Sequence, residues 1–244
     1  MPATNATTAP AGYGADIAPV AALMADPARA AMLGALLNGP PLSAGELSQV
    51  AGISPATASA HLARLLDGGL VAVTKQGRHR YYRLAGHEVA TVLEVIAQIS
   101  PVTPVRGLRQ SREAAALAQA RTCYDHLAGR AGVELLDALL RARVLNGDGT
   151  GPAASYEVTE DGAGKLAGFG VDVAEVRRAR RRFAGACLDW TQRRPHLNGA
   201  LGAAITSRLL HLGWIERGPS KRAIRVTGPG RAGLEETFGW SAPD

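Results

Sequence analysis

The segment LSAGELSQVAGISPATASAHLARLLDGGLV, residues 42–71, decides the fold of the first part of the chain. Ser43 and Glu46 have the spacing of a capping box, which begins a helix. Gly52 stands where the chain must turn, and Ser54, which precedes a proline, begins a second helix. Two helices joined by a short glycine-containing turn predict a helix-turn-helix.

The second predicted helix has one apolar face and one small, polar face. Ala58, Leu62 and Leu65 recur at helical spacing and predict the buried side. Small polar residues on the other side suit a helix that enters a DNA major groove about 12 Å wide. The residues of this helix expected to contact DNA are Ser54, Ala56, Thr57, Ser59, Ala60, His61 and Arg64.

The segment that follows, residues 70–85, predicts a basic β-hairpin. Val71 and Val73 alternate on one arm, and Gln76 and Gly77 are expected to form the turn. A basic hairpin directly after a recognition helix can act as a wing that reaches phosphates and the minor groove. The wing residues expected to contact DNA are Lys75, Arg78, His79 and Arg80.

These linked segments resemble the ArsR/SmtB family of winged-helix transcriptional regulators. Residues 25–37, 42–71 and 77–85 carry the resemblance, which covers about residues 17–100. It implies a homodimer that binds a palindromic operator in double-stranded DNA, usually as a repressor released by an effector. It also implies pairing through the first and last helices of the domain. Here those would be residues 17–24 and the apolar run Val89, Val92, Leu93, Ile96 and Ile99.

The metal sites of that family are not expected here. Residues 46–51, in the first helix of the helix-turn-helix, contain no cysteine. The predicted last helix offers His87, Glu88 and Glu94, but no second histidine. We therefore predict no metal site in this domain and no cofactor for the chain.

Composition and charge limit the class of protein and the kind of partner that can be expected. Of the 244 residues, 46% are apolar, so most of the chain is expected to fold, and the net charge of +6 suits a polyanionic partner. Residues 1–16 lack the features of a secretory signal and predict a disordered leader. No apolar run approaches the roughly 20 residues that span a bilayer. We expect a cytoplasmic protein with no membrane partner.

A second domain is expected at residues 106–240, after the proline-containing linker at residues 100–107. Within it, Cys-x-Asp, Leu-x-Gly-x-x-Gly and Val-Thr-x-x-Gly-x-x-x-Leu each occur twice, in the same order. This pattern predicts an internal duplication with copies at about residues 120–170 and 184–240, each a degenerate winged-helix-like repeat. The expected fold class is mainly α with small β-hairpins.

The two cysteines of the chain, Cys123 and Cys187, occupy equivalent positions in the copies. They are expected to approach each other if the copies pack about a pseudo-two-fold axis. Cys123 and His126 are expected on one face of a helix. Three interpretations stay open: buried apolar residues, a thiol pair that senses oxidants or electrophiles, or ligands that join His126 or His196 at a soft metal. The effector-site candidates are Cys123, Cys187, Asp125, His126, Trp190 and His196.

Trp190, His196 and Trp214 permit another hypothesis, a pocket for an organic effector. The alternative for these residues is ordinary core packing.

The sequence favours a sequence-specific DNA-binding regulator, a homodimeric repressor controlled through the second domain by a small molecule, a thiol-reactive species or a metal. One alternative is an enzyme fused to a DNA-binding module, with Cys123 as nucleophile and His126 as base. Another is a non-specific DNA-packaging protein. Because phosphate-loop, nucleophile-elbow and zinc-hydrolase motifs are lacking, we predict no catalytic residues and no enzyme.

Overall fold

The computed structural model of the chain describes residues 15–37, 40–101, 107–147, 154–218 and 222–241. Most of the expected leader, residues 1–14, lies outside these ranges. The chain divides into two compact units. The first contains the described residues up to Ala35 together with Leu42–Ala85, and the second contains Leu36–Pro41 and the residues from Gly86 onward. No helix in the described ranges is both long enough and apolar enough to cross a membrane.

The first unit is a winged helix-turn-helix. Its helices are α1 (Ala18–Ala25), α2 (Pro27–Leu36, whose last residue falls in the second unit), α3 (Ala44–Ala51) and α4 (Pro55–Asp67). Its strands are β1 (Leu42–Ser43), β2 (Val71–Gln76) and β3 (His79–Leu84), which form one antiparallel sheet in the order β1-β3-β2. The expected fold of this region is confirmed.

Local capping interactions set the two central helices. The Ser43 side chain accepts a hydrogen bond from the Glu46 amide, and the Glu46 carboxylate accepts one from the Ser43 amide, which completes the capping box. Gly52 ends α3 with a φ of 64°, in the left-handed region that glycine adopts without strain. The Ser54 hydroxyl accepts from the Thr57 amide at 3.2 Å and caps α4.

The wing hairpin turns one residue later than expected. Gln76 pairs with His79, so the turn consists of Gly77 and Arg78 instead of Gln76 and Gly77. Gly77 has a φ of 58°. Two-residue hairpin turns need positive φ at the first turn position, which explains why the register places glycine there.

The second unit contains the remaining elements. Its helices are α5 (His87–Ile99), α6 (Leu108–Gln119), α7 (Gly129–Arg141), α8 (Glu160–Phe169), α9 (Val173–Arg177), α10 (Gly199–His211) and α11 (Gly228–Phe238). Its antiparallel strand pairs are β4 (Arg121–Cys123) with β5 (His126–Ala128), β6 (Leu145–Asn146) with β7 (Glu157–Val158), β8 (Gly185–Leu188) with β9 (Pro195–Asn198), and β10 (Ile215–Arg217) with β11 (Ile224–Val226).

Two halves of this unit follow the same order of elements. The first half runs β4-β5-α7-β6-β7-α8 and the second runs β8-β9-α10-β10-β11-α11. This order agrees with the predicted duplication, which stays an interpretation. In each half a strand pair comes immediately before the long helix. In a helix-turn-helix, that position is occupied by the first helix. In both halves the long helix is followed by a hairpin, as it is in a winged helix, and the winged-helix-like nature of the halves stays a prediction.

The halves exchange contacts reciprocally. Arg121 of the first half forms a bridge with Ala223 of the second, and Gly185 of the second half forms one with Ser155 of the first. Both halves contribute to a single apolar core, with residues such as Leu136, Leu139 and Leu166 from the first and Leu201, Leu209 and Leu234 from the second.

Helix α5 packs as part of the second unit, although the sequence assigned residues up to 100 to the first domain. Its buried Glu94 forms an ion pair with Arg222, and Gln98 donates a hydrogen bond to the Leu188 carbonyl at 3.0 Å. The two compact units divide at Ala85, before this helix.

Candidate nucleic-acid interface and buried cysteine–histidine cluster

The first candidate surface is the exposed side of α4. Ala58, Leu62 and Leu65 are buried beneath it and hold the helix on the core of the first unit. The expected DNA-contacting residues that are exposed on this helix and its cap are Ser54, Ala56, Thr57, Ser59, Ala60 and Arg64. The surface is therefore built from small side chains and one cation, which permits close approach to base edges.

His61 differs from the other candidates on this helix. It is half-buried, with its Nδ1 atom 3.3 Å from an Arg29 Nη1 atom and 3.6 Å from an Asp26 carboxylate oxygen. These two partners could not be predicted from local sequence patterns, because both lie on or beside α2. As a DNA contact, His61 stays a prediction.

The wing carries the four other expected contacts, Lys75, Arg78, His79 and Arg80, all exposed. Lys75 and Arg80 are directly opposite each other in the β2–β3 register. Like charges at such positions repel, and a bound polyanion would relieve that repulsion. The wing is thus suited to contact phosphates.

The second candidate site lies inside the second unit, where two hairpins meet. Cys123 pairs with His126 across β4 and β5, and Cys187 pairs with His196 across β8 and β9. The sulfur atoms of the two cysteines are 3.8 Å apart, and the two imidazole rings stack with centroids 5.1 Å apart. The approach of the cysteines agrees with the expectation. The expected helix containing Cys123 and His126 was wrong, because cross-strand pairing, not helical spacing, places them on one face.

The cluster is closed to solvent, and all four of its side chains are buried. Among the described residues, the Nε2 atom of His126 and both ring nitrogens of His196 have no hydrogen-bond partner. Buried polar atoms without partners cost free energy, so such a concentration in one place calls for an explanation.

Asp125 orients His126 from the turn between β4 and β5. Its carboxylate lies 3.2 Å from His126 Nδ1 and 2.6 Å from Arg181 Nη1. Burial opposes ionisation of Asp125, but His126 and Arg181 outweigh it and lower its pKa to about 2. Burial also disfavours the imidazolium of His126, yet the Cys123 sulfur and the Asp125 carboxylate raise its pKa to about 9.

Asp189 forms the corresponding network in the second half, with a partner that the sequence did not reveal. Its carboxylate lies 2.9 Å from buried Arg121 Nη2 and accepts hydrogen bonds from the Gly129 amide at 2.7 Å and the Thr191 hydroxyl at 2.6 Å. Burial alone would raise the pKa of Asp189, but Arg121 and Thr191 outweigh it and lower the pKa to about 2. Arg121 is one cation among many in the sequence, and only its burial distinguishes it.

Each histidine of the cluster thus has a carboxylate near its Nδ1 atom, but the two distances differ. The Nδ1 atom of His196 is 3.7 Å from an Asp189 oxygen, beyond hydrogen-bond range. Burial and the neighbouring His126 hold the pKa of His196 well below its usual range.

The remaining pKa shifts at this site are those of Cys123 and His87. The adjacent Cys187 sulfur and burial raise the pKa of Cys123 well above its usual range. His87, from α5, packs at 6.0 Å from the ring of His126, and burial together with His126 lowers its pKa. Sequence reasoning placed His87 in the first domain and so missed its approach to this cluster.

The glycines of the repeated Leu-x-Gly-x-x-Gly motif allow the helices to begin beside these hairpins. A Cβ atom on Gly132 would lie 2.4 Å from the Leu127 carbonyl oxygen, and one on Gly202 would lie 2.5 Å from that of Leu197. The same atoms would come within 3.5 Å of the His196 Cβ and 3.3 Å of the His126 Cβ. Each of these glycines thus sits against the other half's histidine.

The two tryptophans of the predicted organic-effector pocket have separate surroundings. Trp190 is half-buried under the guanidinium of Arg121, which lies 4.9 Å from its ring centroid. Trp214 packs on Phe169, with ring centroids 5.5 Å apart. These contacts are those of core aromatic residues, and a shared effector pocket stays a prediction.

Comparison with known proteins assigns the chain to a class. Residues 24–74 match the model of a helix-turn-helix domain. The chain is 42% identical over 221 residues to the HTH-type transcriptional regulator YdfF of Bacillus subtilis (strain 168), which covers 91% of this chain and 96% of that protein. It is also 30% identical over 76 residues to the HTH-type transcriptional regulator YgaV of Escherichia coli (strain K12), across 31% of this chain and 77% of that one.

Among solved structures, reduced HlyU from Vibrio cholerae N16961 is 32% identical, with coverage of 34% of this chain and 87% of that chain and a TM-score of 0.32. The match to YdfF extends over nearly the whole chain and therefore includes the second unit as well as the first. On the strength of that match, the chain belongs to the helix-turn-helix transcriptional regulators.

Proposed function

We propose that this chain is a homodimeric repressor that binds a palindromic operator, with an affinity controlled by an effector in its second unit. The observation that carries the proposal is the exposed surface formed by α4, with its small polar side chains, and the wing, with Lys75, Arg78 and Arg80. A helix with this surface can enter the major groove while the wing contacts flanking phosphates. Such a regulator would work in the cytoplasm.

Exposed apolar residues support dimerisation. On α1 and its cap, Ile17 and Val20 are exposed, and on α5 the same holds for Val92, Ile96 and Ile99. The resemblance to ArsR/SmtB regulators implies pairing through these two helices. Sedimentation of the full chain should give a dimer, and a monomer at micromolar concentration would contradict this part of the proposal.

Operator binding is tested with the purified full chain and a labelled duplex from its own promoter region. We expect tighter binding than to a scrambled duplex of equal length, and a linear fall of log affinity with log salt concentration. Equal affinity for both duplexes would indicate a DNA-packaging protein instead. Absence of salt-sensitive binding to either duplex would remove the DNA-binding proposal.

The enzyme alternative has little support in the geometry. Cys123 is only 2% exposed, whereas a nucleophilic cysteine must be accessible to its substrate. Effector binding is the better-supported role for this cluster. Operator affinity measured with a reductant, an oxidant, metal ions and small molecules would separate the three effector classes.

A further inference from the structure

We propose that Cys123, His126, Cys187 and His196 bind one thiophilic divalent cation of the zinc class, which joins the two halves of the second unit. The four donor atoms, one from each side chain, all lie within 4.8 Å of one another. This inference concerns the second unit alone and holds whether or not the first unit binds an operator.

The sulfur geometry already matches a tetrahedral site. Two thiolates with zinc–sulfur bonds of about 2.3 Å at tetrahedral angles lie about 3.8 Å apart. The sulfur atoms of Cys123 and Cys187 are 3.8 Å apart. The four donor atoms lie within 4.8 Å of one another, and tetrahedral bonds of about 2.0–2.3 Å require donor separations of about 3.3–3.8 Å, so the set must contract to close around an ion.

The unpartnered histidine nitrogens point to a ligand at this place. Nε2 of His126 and both ring nitrogens of His196 are buried without a hydrogen-bond partner in the ranges that the structure describes. A metal ion would give one nitrogen of each ring the electron-pair acceptor that the protein does not supply.

The carboxylates are placed as outer partners of such ligands. A metal-bound histidine commonly donates its other N–H group to a carboxylate, which sets its tautomer and ring orientation. Asp125 lies 3.2 Å from Nδ1 of His126, within hydrogen-bond range, whereas Asp189 is 3.7 Å from Nδ1 of His196 and must move closer to accept its N–H group. Nε2 is then the metal-binding atom of both rings.

Charge balance favours a dication. Binding converts two thiols into two thiolates, and His126, whose raised pKa makes it an imidazolium, also loses its Nε2 proton, so three protons leave. The ion and its cysteines together then carry no net charge. Arg121 and Arg181 stay neutralised by Asp189 and Asp125, which are not ligands. A neutral complex of this kind is compatible with a closed interior, and a site with four protein ligands is typical of structural zinc.

A neighbouring set of residues is a weaker candidate. His87, Asp125 and His126 also bring three donors within 4.8 Å. However, the Asp125 carboxylate is already paired with Arg181, and the set has no thiolate. It also needs His126, which the four-residue site uses.

The test uses the full chain, reduced and stripped of metal by a chelator. Titration with Zn²⁺ against a chromophoric chelator should reach one ion per chain and raise the melting temperature. Co²⁺ should give a thiolate charge-transfer band and the intense visible bands of a tetrahedral complex. Octahedral Co²⁺ spectra without thiolate bands, or no stoichiometric Zn²⁺ binding by the reduced chain, would overturn the proposal.

Variants separate the ligands from their surroundings. The double variant C123S/C187S should lose the stoichiometric site, whereas His211→Gln, which changes an exposed histidine of the same unit, should retain it. Retained Zn²⁺ binding by the double variant would overturn the assignment. If the double variant fails to fold, the Co²⁺ spectrum of the unaltered chain still decides whether two sulfurs are ligands.

A second variant probes the outer partner. Asp125→Asn leaves all four ligands in place, so we expect one ion per chain with an affinity lowered by about 10–100-fold. An unchanged affinity would contradict the role of this carboxylate. A reduced chain that binds no Zn²⁺ but forms a Cys123–Cys187 disulfide in air would indicate a redox pair and overturn the metal site.

Discussion

The two cysteine-bearing hairpins share a sequence motif but use its aspartate differently. Asp125 belongs to a tight turn, and its side chain is 34% exposed. Asp189 begins a longer loop, residues 189–194, and its side chain is 0% exposed. The difference follows from their partners, because Arg181 is near the surface and Arg121 is buried. Aspartates at the same position of a shared sequence motif can thus contribute differently to stability.

The largest expected effect is on Asp189. Asp189→Asn removes the charge that neutralises buried Arg121, and loss of one partner of a buried ion pair costs about 3–5 kcal/mol. Urea denaturation should show this loss in the free energy of unfolding. Asp125→Asn is the matched control, with an expected loss of about 1–2 kcal/mol since its ion pair is partly solvated. Equal losses would remove the distinction between the two aspartates.

Gly132 and Gly202 test whether the two halves contribute equally to stability. Gly132→Ala and Gly202→Ala each place a methyl group against a fixed carbonyl oxygen, and we expect each to destabilise the second unit by about 1–3 kcal/mol. Thermal unfolding measures the effect. Gly164→Ala, in an exposed part of α8 with open space at the added Cβ, should instead stabilise by about 0.4–1 kcal/mol. A neutral Gly132→Ala would mean that the helix shifts away from its hairpin.

The smallest effect on stability is expected for exposed charges of the wing, which lie outside the two cysteine-bearing hairpins. The double variant R78A/R80A should change the free energy of unfolding by less than about 0.5 kcal/mol. It should nevertheless lower operator affinity and reduce the salt slope by about 0.9 for each lost phosphate contact. R109A/R112A, on exposed α6, removes the same charge and is the control. If both double variants weaken binding equally, overall charge rather than the wing is responsible.

The first unit could be predicted closely because its signals are local. The Ser43 capping box, the Gly52 turn and the Ser54 cap act within a few residues of the chain, and each was found where expected. The wing register was wrong by one residue, since the turn depends on the pairing of whole strands. The half-buried position of His61 was missed because its partners lie on another helix.

In the second unit, the sequence identified the residues of the cluster but not its secondary structure. The repeated motifs linked Cys123 with Cys187, yet the helical spacing of Cys123 and His126 was misleading. Spacing by three residues suits a helix face, but it also suits opposite positions in a two-residue hairpin. The α5 helix was also assigned to the first domain, since nothing local links Glu94 to Arg222.

The sequence by itself determined a basic, mainly helical chain with a winged helix-turn-helix, because caps, turns and apolar periodicity act over short distances. It also predicted a duplication in the residues that follow. Only the tertiary structure decided that the two cysteines and two histidines meet, that Arg121 is buried, and that Asp189 neutralises it. The contacts between the two cysteines and between Arg121 and Asp189 join residues 64 and 68 positions apart in sequence. They exist because two hairpins from separate halves pack face to face, which no local pattern specifies.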